Sequence, residues 1–344
     1  MAYFTNPSRG GIANSSGSAA TDPSAAWALF KTQFFSEIRT IFQNENVFLN
    51  TVRTMFVRGS KAAKFPYLGT STFAGYHIPG GEIQGRAIPH NEKTINVDNM
   101  MYSSAFIPKI DELVSHYDYR RPYAEQLGIK LSRLTDKMLA SLIVTAARQS
   151  ANATVTGSPA GTVVTKANMD TDADVLRSAF FSAAQAFDEK NVPEGGRVCT
   201  LRPAQYYMLV QDTDAINQDW GGDGSMAQGR VNRIANIPIR KSNNIPNWDG
   251  TSAATIVDDE FSDAVANEVA APADGIEDIG GYNLDYTKVV GLVHTPDAVA
   301  MARLLELEME DEYTVRSQGT LLVCKQAFGA QWFRPECAVE FRKV

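Results

Sequence analysis

Apolar side chains recur every three or four positions between residues 121 and 150, the spacing of one face of an α-helix. Pro122 lies near the start, where a helix tolerates a missing N–H, and the next proline is Pro159. The predicted helix is roughly 40 Å long, and a helix with this single stripe needs an extended surface to lie on. The stripe consists of Leu127, Leu131, Leu134, Met138, Leu142 and Thr145, widened by Leu139, Ile143 and Ala146. The other faces are expected to carry Glu125, Gln126, Lys130, Arg133, Asp136 and Lys137.

A shorter aromatic stripe follows Asp22 and Pro23, which offer an N-cap and a proline at the first helical position. This stripe predicts a helix that ends near residue 42. Residues 1–22 are rich in Gly, Ser, Ala and Asn, and we expect them to be poorly ordered unless a partner holds them. Two interpretations of the helix stay open, because it could belong to the core or dock on a neighbouring subunit. Its first aromatic residues are Trp27, Phe30 and Phe34.

Between residues 65 and 109, β-branched and aromatic residues are interrupted by glycines, a pattern typical of strands joined by turns. We expect a long two-stranded ribbon there. It has few large apolar residues for its length, and an isolated two-stranded ribbon is marginally stable in water. Another copy of the protein is therefore the nearest candidate to cover it. The aromatic residues of the ribbon include Phe65, Tyr67, Phe73 and Tyr76.

The rest of the chain alternates helical and extended patterns without a regular βαβ repeat, which favours an α+β fold. Residues 172–190 show a second amphipathic helical pattern. The acidic run from Glu306 to Glu312 alternates with leucine and methionine, as in a strand with one face in water. A further helix is predicted at residues 203–211, and strands at residues 197–201, 234–240, 289–294 and in the last quarter of the chain.

The chain has 344 residues, enough for one large domain or two modest ones. Its net charge of -7 argues against a protein whose main task is to grip nucleic acid. This charge disfavours a nucleic-acid-binding scaffold built on Arg230, Arg233, Arg240 and Lys241. A second basic group is either a solvated face or a contact for acidic groups on another chain. Its members are Arg53, Arg58, Lys61 and Lys64.

No arrangement of residues in the sequence indicates catalysis. The three cysteines lack metal-type spacing and are expected to be reduced, partly buried thiols. None of His77, His90, His116 and His294 has a second ligand at metal-binding spacing, and neither a nucleophile elbow nor a phosphate loop is present. No apolar run approaches the length of a membrane span, and no secretory signal is seen. We therefore predict no catalytic residue, cofactor or metal site, with an intracellular enzyme of unrecognised mechanism as the alternative.

Four stretches carry a resemblance to a known family. They are residues 61–69 (KAAKFPYLG), 116–131 (HYDYRRPYAEQLGIKL), 290–294 (VGLVH) and 334–338 (RPECA). In their order and spacing the chain resembles the major capsid proteins of T7-like short-tailed bacteriophages, which have the HK97 fold. The resemblance covers the chain from about residue 27 to the C-terminus.

The resemblance implies a name for each part of the α+β chain. Residues 1–64 would be the N-terminal arm and helix, and residues 65–105 the extended loop, a long β-hairpin that lies over a neighbour. The peripheral domain would contain residues 106–194 and about 301–328, with residues 121–150 as its spine helix. The axial domain would contain residues 195–300 and about 329–344.

The resemblance also implies a mechanical function. Hexamers and pentamers of the chain would close an icosahedral T=7 phage head around double-stranded DNA, held without sequence-specific binding. Assembly in the host bacterial cytoplasm would use a scaffolding protein, and a portal protein would replace one pentamer. We expect no covalent crosslink and no membrane partner. The candidates for contacts between subunits are Trp27, Phe30, Phe34, Arg53, Arg58, Lys61, Lys64, Phe65, Tyr67, Phe73 and Tyr76.

Overall fold

The computed structural model describes residues 46–69, 71, 73–77, 79–80, 82–83, 85–97, 100–110, 120–151, 158–212, 223–225, 230–247 and 284–344. The predicted tail and first helix, before residue 43, lie outside these residues. The chain divides into two compact units. Within the described residues, the smaller unit contains 101–132 and 306–326, and the larger contains 46–100, 133–305 and 327–344.

The three helices predicted after residue 120 are confirmed to within two residues at each end. Helix α1 extends over Arg120–Arg148, α2 over Ala173–Glu189 and α3 over Pro203–Gln211. The strands are β1 (Arg53–Phe56), β2 (Ala62–Leu68), β3 (His90–Asn96), β4 (Met101–Pro108), β5 (Thr162–Lys166), β6 (Val198–Leu201), β7 (Asp223–Ser225), β8 (Arg230–Ile234), β9 (Ile237–Lys241), β10 (Val289–His294), β11 (Val299–Thr314), β12 (Gly319–Trp332) and β13 (Ala338–Lys343).

The larger unit is built on a mixed sheet with the strand order β5-β13-β10-β6-β9-β8-β7. Every residue of β6 and β10 is buried, so the middle of this sheet is covered on both faces. Adjacent residues of β13 show what covers each face, because successive side chains of a strand point in opposite directions. The ring of Phe341 contacts Phe180 of α2, with centroids 5.2 Å apart, whereas Glu340 pairs with Arg148 of α1. Helix α2 and the end of α1 therefore lie on opposite faces.

Two strand pairings cross the boundaries of the predicted division of the chain. The sequence places residues 106–194 in one domain, but β5 pairs in parallel with β13, from Thr162 opposite Val339 to Lys166 opposite Lys343. Residues 162–166 therefore extend the large sheet. The predicted ribbon of residues 65–105 also ends too late, because β4 pairs antiparallel with β12 in the smaller unit. Pairings between segments this far apart leave no local pattern in the sequence.

The apolar stripe of α1 is confirmed, since Leu131, Leu134 and Leu142 are each 1% exposed. The expectation that the other faces are polar is wrong for the second half of the helix. From residue 134 to residue 147 every residue except Lys137 is buried, as in a helix at the centre of a core. Asp136, which the sequence assigns to a polar face, is completely buried.

The carboxylate of Asp136 is buried because it satisfies three donors. Oδ2 accepts hydrogen bonds from Val47 N at 2.8 Å and from Asn244 Nδ2 at 3.0 Å, while Oδ1 accepts from Phe48 N at 3.2 Å. A buried carboxylate is tolerable when hydrogen bonds replace its lost hydration. Asp136 thus holds the chain at residues 47–48 against the middle of α1.

The C-terminal end of α1 is held by a buried, bidentate ion pair. Arg148 Nε lies 2.6 Å from Glu340 Oε2, and Nη2 lies 2.6 Å from Oε1. Nη2 also donates to the carbonyl oxygen of Asp285 at 2.9 Å. Glu340 is fully buried, so Arg148 supplies the positive charge that its carboxylate requires.

His294 ends a chain of hydrogen bonds inside the larger unit. The Thr51 hydroxyl donates to the carbonyl oxygen of Phe48 at 2.8 Å, so His294 Nε2, at 2.9 Å from Thr51 Oγ1, must carry the proton and donate. Nδ1 is buried without a hydrogen-bond partner among the described residues. Burial, assisted by the nearby positive charge of Arg240, lowers the pKa of His294 to about 4. The imidazole is therefore neutral at pH 7 and has a structural role.

The three cysteines, Cys199, Cys324 and Cys337, are free and buried, and burial raises the pKa of each thiol. Among the described residues, none of the helices combines the length and apolar character needed to cross a membrane.

Removing the charge of Glu340 leaves Arg148 without its buried partner. We expect Glu340→Gln to lower the free energy of unfolding by about 3–5 kcal/mol, because the remaining charge is desolvated and uncompensated. Urea titration followed by circular dichroism measures this loss. Replacing both partners with Arg148→Met and Glu340→Leu is expected to recover most of the lost stability.

Glu310→Gln is the matched control for Glu340→Gln. Glu310 also pairs with a cation, Lys325, but its side chain is 67% exposed. An exposed pair contributes at most about 1 kcal/mol, so this control should stay close to wild type. Equal stability of Glu340→Gln and Glu310→Gln would show that the buried pair does not hold α1.

The lowered pKa of His294 predicts a pH dependence with a definite sign. Between pH 6.5 and pH 4 the unfolded chain binds a proton at this position and the folded chain does not, so the free energy of unfolding falls as the pH falls. Through His294, the free energy of unfolding falls by about 3 kcal/mol in total as the pH falls through this range. Urea titrations at several pH values should show a shallower acid loss for His294→Gln than for wild type. Equal slopes would contradict the assignment.

Candidate assembly surfaces

The base of the ribbon is an antiparallel hairpin of β2 and β3, paired from Ala62 opposite Asn96 to Leu68 opposite His90. One face of this hairpin packs on the subunit's own core. Phe65 and Tyr67 each place their ring centroid 5.9 Å from that of Phe333. We call the whole set the hairpin cluster, and its buried members are Ala63, Phe65, Tyr67, Ile95, Val97, Ala300, Ala302, Ala327 and Phe333.

Gly329 of β12 permits the close approach of the hairpin. A Cβ atom on this residue would lie 1.9 Å from the carbonyl oxygen of Asn96, so a side chain does not fit without moving the backbone. Val97 N also donates to the carbonyl oxygen of Lys61 at 2.8 Å, beyond the last paired residues of the strands. The base of the ribbon is thus fixed to its own subunit.

The structure corrects the role predicted for Phe65 and Tyr67. The sequence assigns both rings to a neighbouring subunit, but they are 3% and 6% exposed within their own subunit. Alternation of Ala63, Phe65 and Tyr67 along β2 directs all three to one face, which is the available sequence signal of a half-buried strand. The cluster that buries them includes small residues far away in the chain, such as Ala300 and Ala327. Counting the large apolar residues of the ribbon therefore underestimates how much of the ribbon is buried.

The tip of the ribbon differs from its base. We call residues 69–89 the ribbon tip, and none of its described residues belongs to a strand. Phe73 is 54% exposed and Tyr76 is fully exposed, so their contact with another chain stays a prediction. Arg86 lies over the ring of Phe73, with Cζ 3.9 Å from its centroid. Exposed Ile83 and Ile88 add apolar surface to the tip.

The basic group near the ribbon is also exposed. Arg53 Nη1 lies 3.4 Å from Asp297 Oδ1, and Lys64 forms an ion pair with Glu92. Neither Arg58 nor Lys61 has an ion pair within the part of the chain that the structure describes. Arg53 belongs to β1, an edge strand whose four residues are all exposed, including Met55 and Phe56. Exposed apolar and positive groups therefore occur together in residues 53–64, which we call the basic segment.

The smaller unit exposes the opposite charge. Alternate residues of β11 are directed to one side of the strand, about 7 Å apart. Lys325 of β12 pairs with one of these carboxylates, that of Glu310. The acidic row on this side of β11 consists of Glu306, Glu308, Glu310 and Glu312, all exposed. The predicted strand with one wet face is thus confirmed.

Two predictions remain, one about the aromatic residues of the first helix and one about metal binding. Trp27, Phe30 and Phe34 lie outside the described residues. Within the described ranges, no group of three or more His, Cys, Asp or Glu side chains could hold a metal ion. Among the described residues, the candidate assembly surfaces are therefore the apolar ribbon tip, the basic segment and the acidic row.

Comparisons with known proteins point to a single family. The sequence profile of the Gp10A-like family, described as major capsid protein, matches residues 64–342. The major capsid protein of Escherichia phage T7 is 25% identical over 322 residues, which cover 90% of this chain and 90% of that protein. The capsid structure of Cyanophage P-SCSP1u has a TM-score of 0.73 and 33% identity, over 87% of this chain and 88% of that chain. The mature capsid of bacteriophage PhiM1, at 18% identity, shares the fold with a TM-score of 0.68 over 87% of each chain.

Two alanine substitutions separate the base of the ribbon from its tip. Phe65→Ala should lower the free energy of unfolding of the isolated subunit by about 3–5 kcal/mol, because it removes a ring from the hairpin cluster. Tyr76→Ala, also a loss of one aromatic ring, should change it by less than about 0.5 kcal/mol, because the ring is exposed. Urea titration of both variants checks this. Similar stabilities would show that Phe65 is not held within its own subunit.

Proposed function

The chain belongs to the Gp10A-like family of major capsid proteins and forms the shell of a phage head, and we propose that its copies assemble into hexamers and pentamers of an icosahedral T=7 particle. It is a structural protein of the virion and not an enzyme. Its HK97-like, mixed α/β fold is shared with solved phage capsid proteins. The observation that carries the proposal is a well-packed subunit with a ribbon tip whose exposed apolar side chains its own core does not cover.

A shell with both pentamers and hexamers requires one subunit to fit several slightly different surroundings. The core of the larger unit can keep the same structure in each of these surroundings, because Asp136 and Arg148 hold the buried helix at its middle and at its end. The contacts of the ribbon tip can differ from one set of surroundings to another, because its exposed rings can contact a neighbour without changing that core. We assign the tip the role of the extended loop, and Phe73 and Tyr76 the role of its anchors.

Charge complementarity supports a second contact between copies. The basic segment carries Arg58 and Lys61 in exposed positions, and the acidic row presents four carboxylates. Opposite charges on two exposed surfaces favour association and set its orientation. We infer that the basic segment of one copy faces the acidic row of another. Such a contact weakens as the salt concentration rises.

The domain names follow the same proposal. We assign the smaller unit to the peripheral domain and the large sheet to the axial domain, with β5 moved to the latter. The helix with Trp27, Phe30 and Phe34 is assigned to the N-terminal arm, although it lies outside the described residues. A scaffolding protein, a portal protein and double-stranded DNA complete the proposed partners. The net charge of -7 supports a lining that holds DNA without sequence-specific binding.

Electron microscopy of the chain, expressed alone or with a scaffolding partner, tests the proposed assembly. Closed shells or rings of six and five copies are the expected particles. A uniform population of monomers under both conditions would overturn it.

The role of the ribbon tip can be tested with a matched pair of double variants. Phe73→Ser with Tyr76→Ser removes both exposed rings, and should leave the subunit folded while abolishing closed particles. Phe73→Leu with Tyr76→Phe keeps most of the apolar area and should still assemble. Negative-stain microscopy counts the particles, and urea titration verifies that both subunits are equally stable. Normal particles from the serine variant would exclude the tip as an anchor.

A further inference from the structure

A cavity of about 390 Å³ lies in the larger unit, between the hairpin of β2 and β3, the residues after α1 and the segment that follows β12. Its volume is within the range of sites that bind small molecules. Its walls combine aromatic rings with polar groups. The main lining residues are Tyr67, Lys93, Gln149, Ser150, Trp332 and Phe333.

Lys93 is the amine of this cavity. It is half-buried on β3, and its Nζ lies 2.9 Å from the ring centroid of Trp332. Within the described residues no carboxylate forms an ion pair with Lys93. Its neighbour Glu92 also lines the cavity but pairs with Lys64. The amine therefore lies against an aromatic face without a compensating negative charge.

The other ionisable groups near the cavity do not reverse this situation. The Tyr67 hydroxyl donates to Glu336 Oε1 at 3.4 Å, and burial raises the pKa of Tyr67, so the phenol is neutral at pH 7. Arg334 Cζ lies 5.0 Å from the Tyr67 ring centroid, and Arg334 Nη1 lies 3.9 Å from Glu336 Oε1. The Trp332 face favours the charged form of Lys93, but burial dominates and lowers the pKa of its amine to about 7.

We propose that Lys93 is a nucleophilic amine and that this cavity is a modification site for small aromatic aldehydes. The Nζ lone pair attacks the carbonyl carbon, and the carbonyl oxygen takes up a proton to give a carbinolamine. Loss of the hydroxyl group as water, with the second amine proton, leaves an imine. Roughly half of an amine with this pKa is unprotonated at pH 7, against less than about one part in a thousand for an ordinary lysine.

The walls of the cavity explain the preference for an aromatic aldehyde. Trp332 is half-buried and offers ring surface for a stacking or edge contact, whereas Phe333 is buried and closes the wall behind it. The amide of Gln149 and the hydroxyl of Ser150 can hydrogen-bond a polar substituent on the ring. The site does not depend on assembly, since every residue named belongs to one unit of one chain.

The test uses the intact chain and 2-hydroxybenzaldehyde, with cyanoborohydride to reduce the imine to a stable secondary amine. Peptide mass spectrometry then compares labelling of Lys93 with labelling of the exposed Lys61 and Lys64 in the same sample. We expect Lys93 to be labelled about tenfold or more faster at pH 7, with half-maximal rate near pH 7.

Two variants and a second probe separate the amine from its surroundings. Lys93→Arg should remove labelling at this position and leave that of Lys61 and Lys64 unchanged. Trp332→Leu keeps the amine but should reduce the preference for the aromatic aldehyde over propanal. Labelling of wild-type Lys93 no faster than that of Lys61, or a rate that rises only near pH 10, would overturn the proposal without reference to any variant.

Discussion

The larger unit depends on the burial of a charge pair at the end of its central helix. Arg148 and Glu340 each need the other, because a single ion at this depth would cost several kcal/mol. Their bidentate geometry fixes both the distance and the direction between α1 and β13. Once that joint is set, the neighbouring Phe341 must face the opposite side of the sheet, where α2 packs on it. One ion pair thereby determines which helix covers which face.

Asp136 applies the same constraint at the middle of the helix. Its carboxylate replaces water with two backbone donors and one side-chain amide. The segment at residues 47–48 then brings Thr51 within reach of His294. Buried polar groups of this kind make one arrangement of helix, sheet and chain entry more favourable than its competitors, provided that every donor is matched.

Periodicity in the sequence was enough to predict the three helices and the buried strand β10, because their apolar spacing is local. It could not predict that Asp136 and Glu340 are buried. A charged residue is read as solvent-facing unless its partner is known, and these partners lie 88 and 192 residues away. The ribbon shows the same limit. Phe65 and Phe73 are both aromatic residues of the ribbon, yet Phe65 belongs to a buried cluster with distant residues such as Ala300 and Ala327, whereas Phe73 is 54% exposed.

The close contact between Gly329 and Asn96 has a mechanical consequence. A hairpin joined to its subunit by a flexible hinge would swing freely, and a force on its end would be lost at the hinge. Here the strands are held against β12 at the base, and backbone pairing continues to the bond between Gly69 N and Pro89 O. A force applied at that bond would therefore pass through the paired strands β2 and β3 into the body of the subunit.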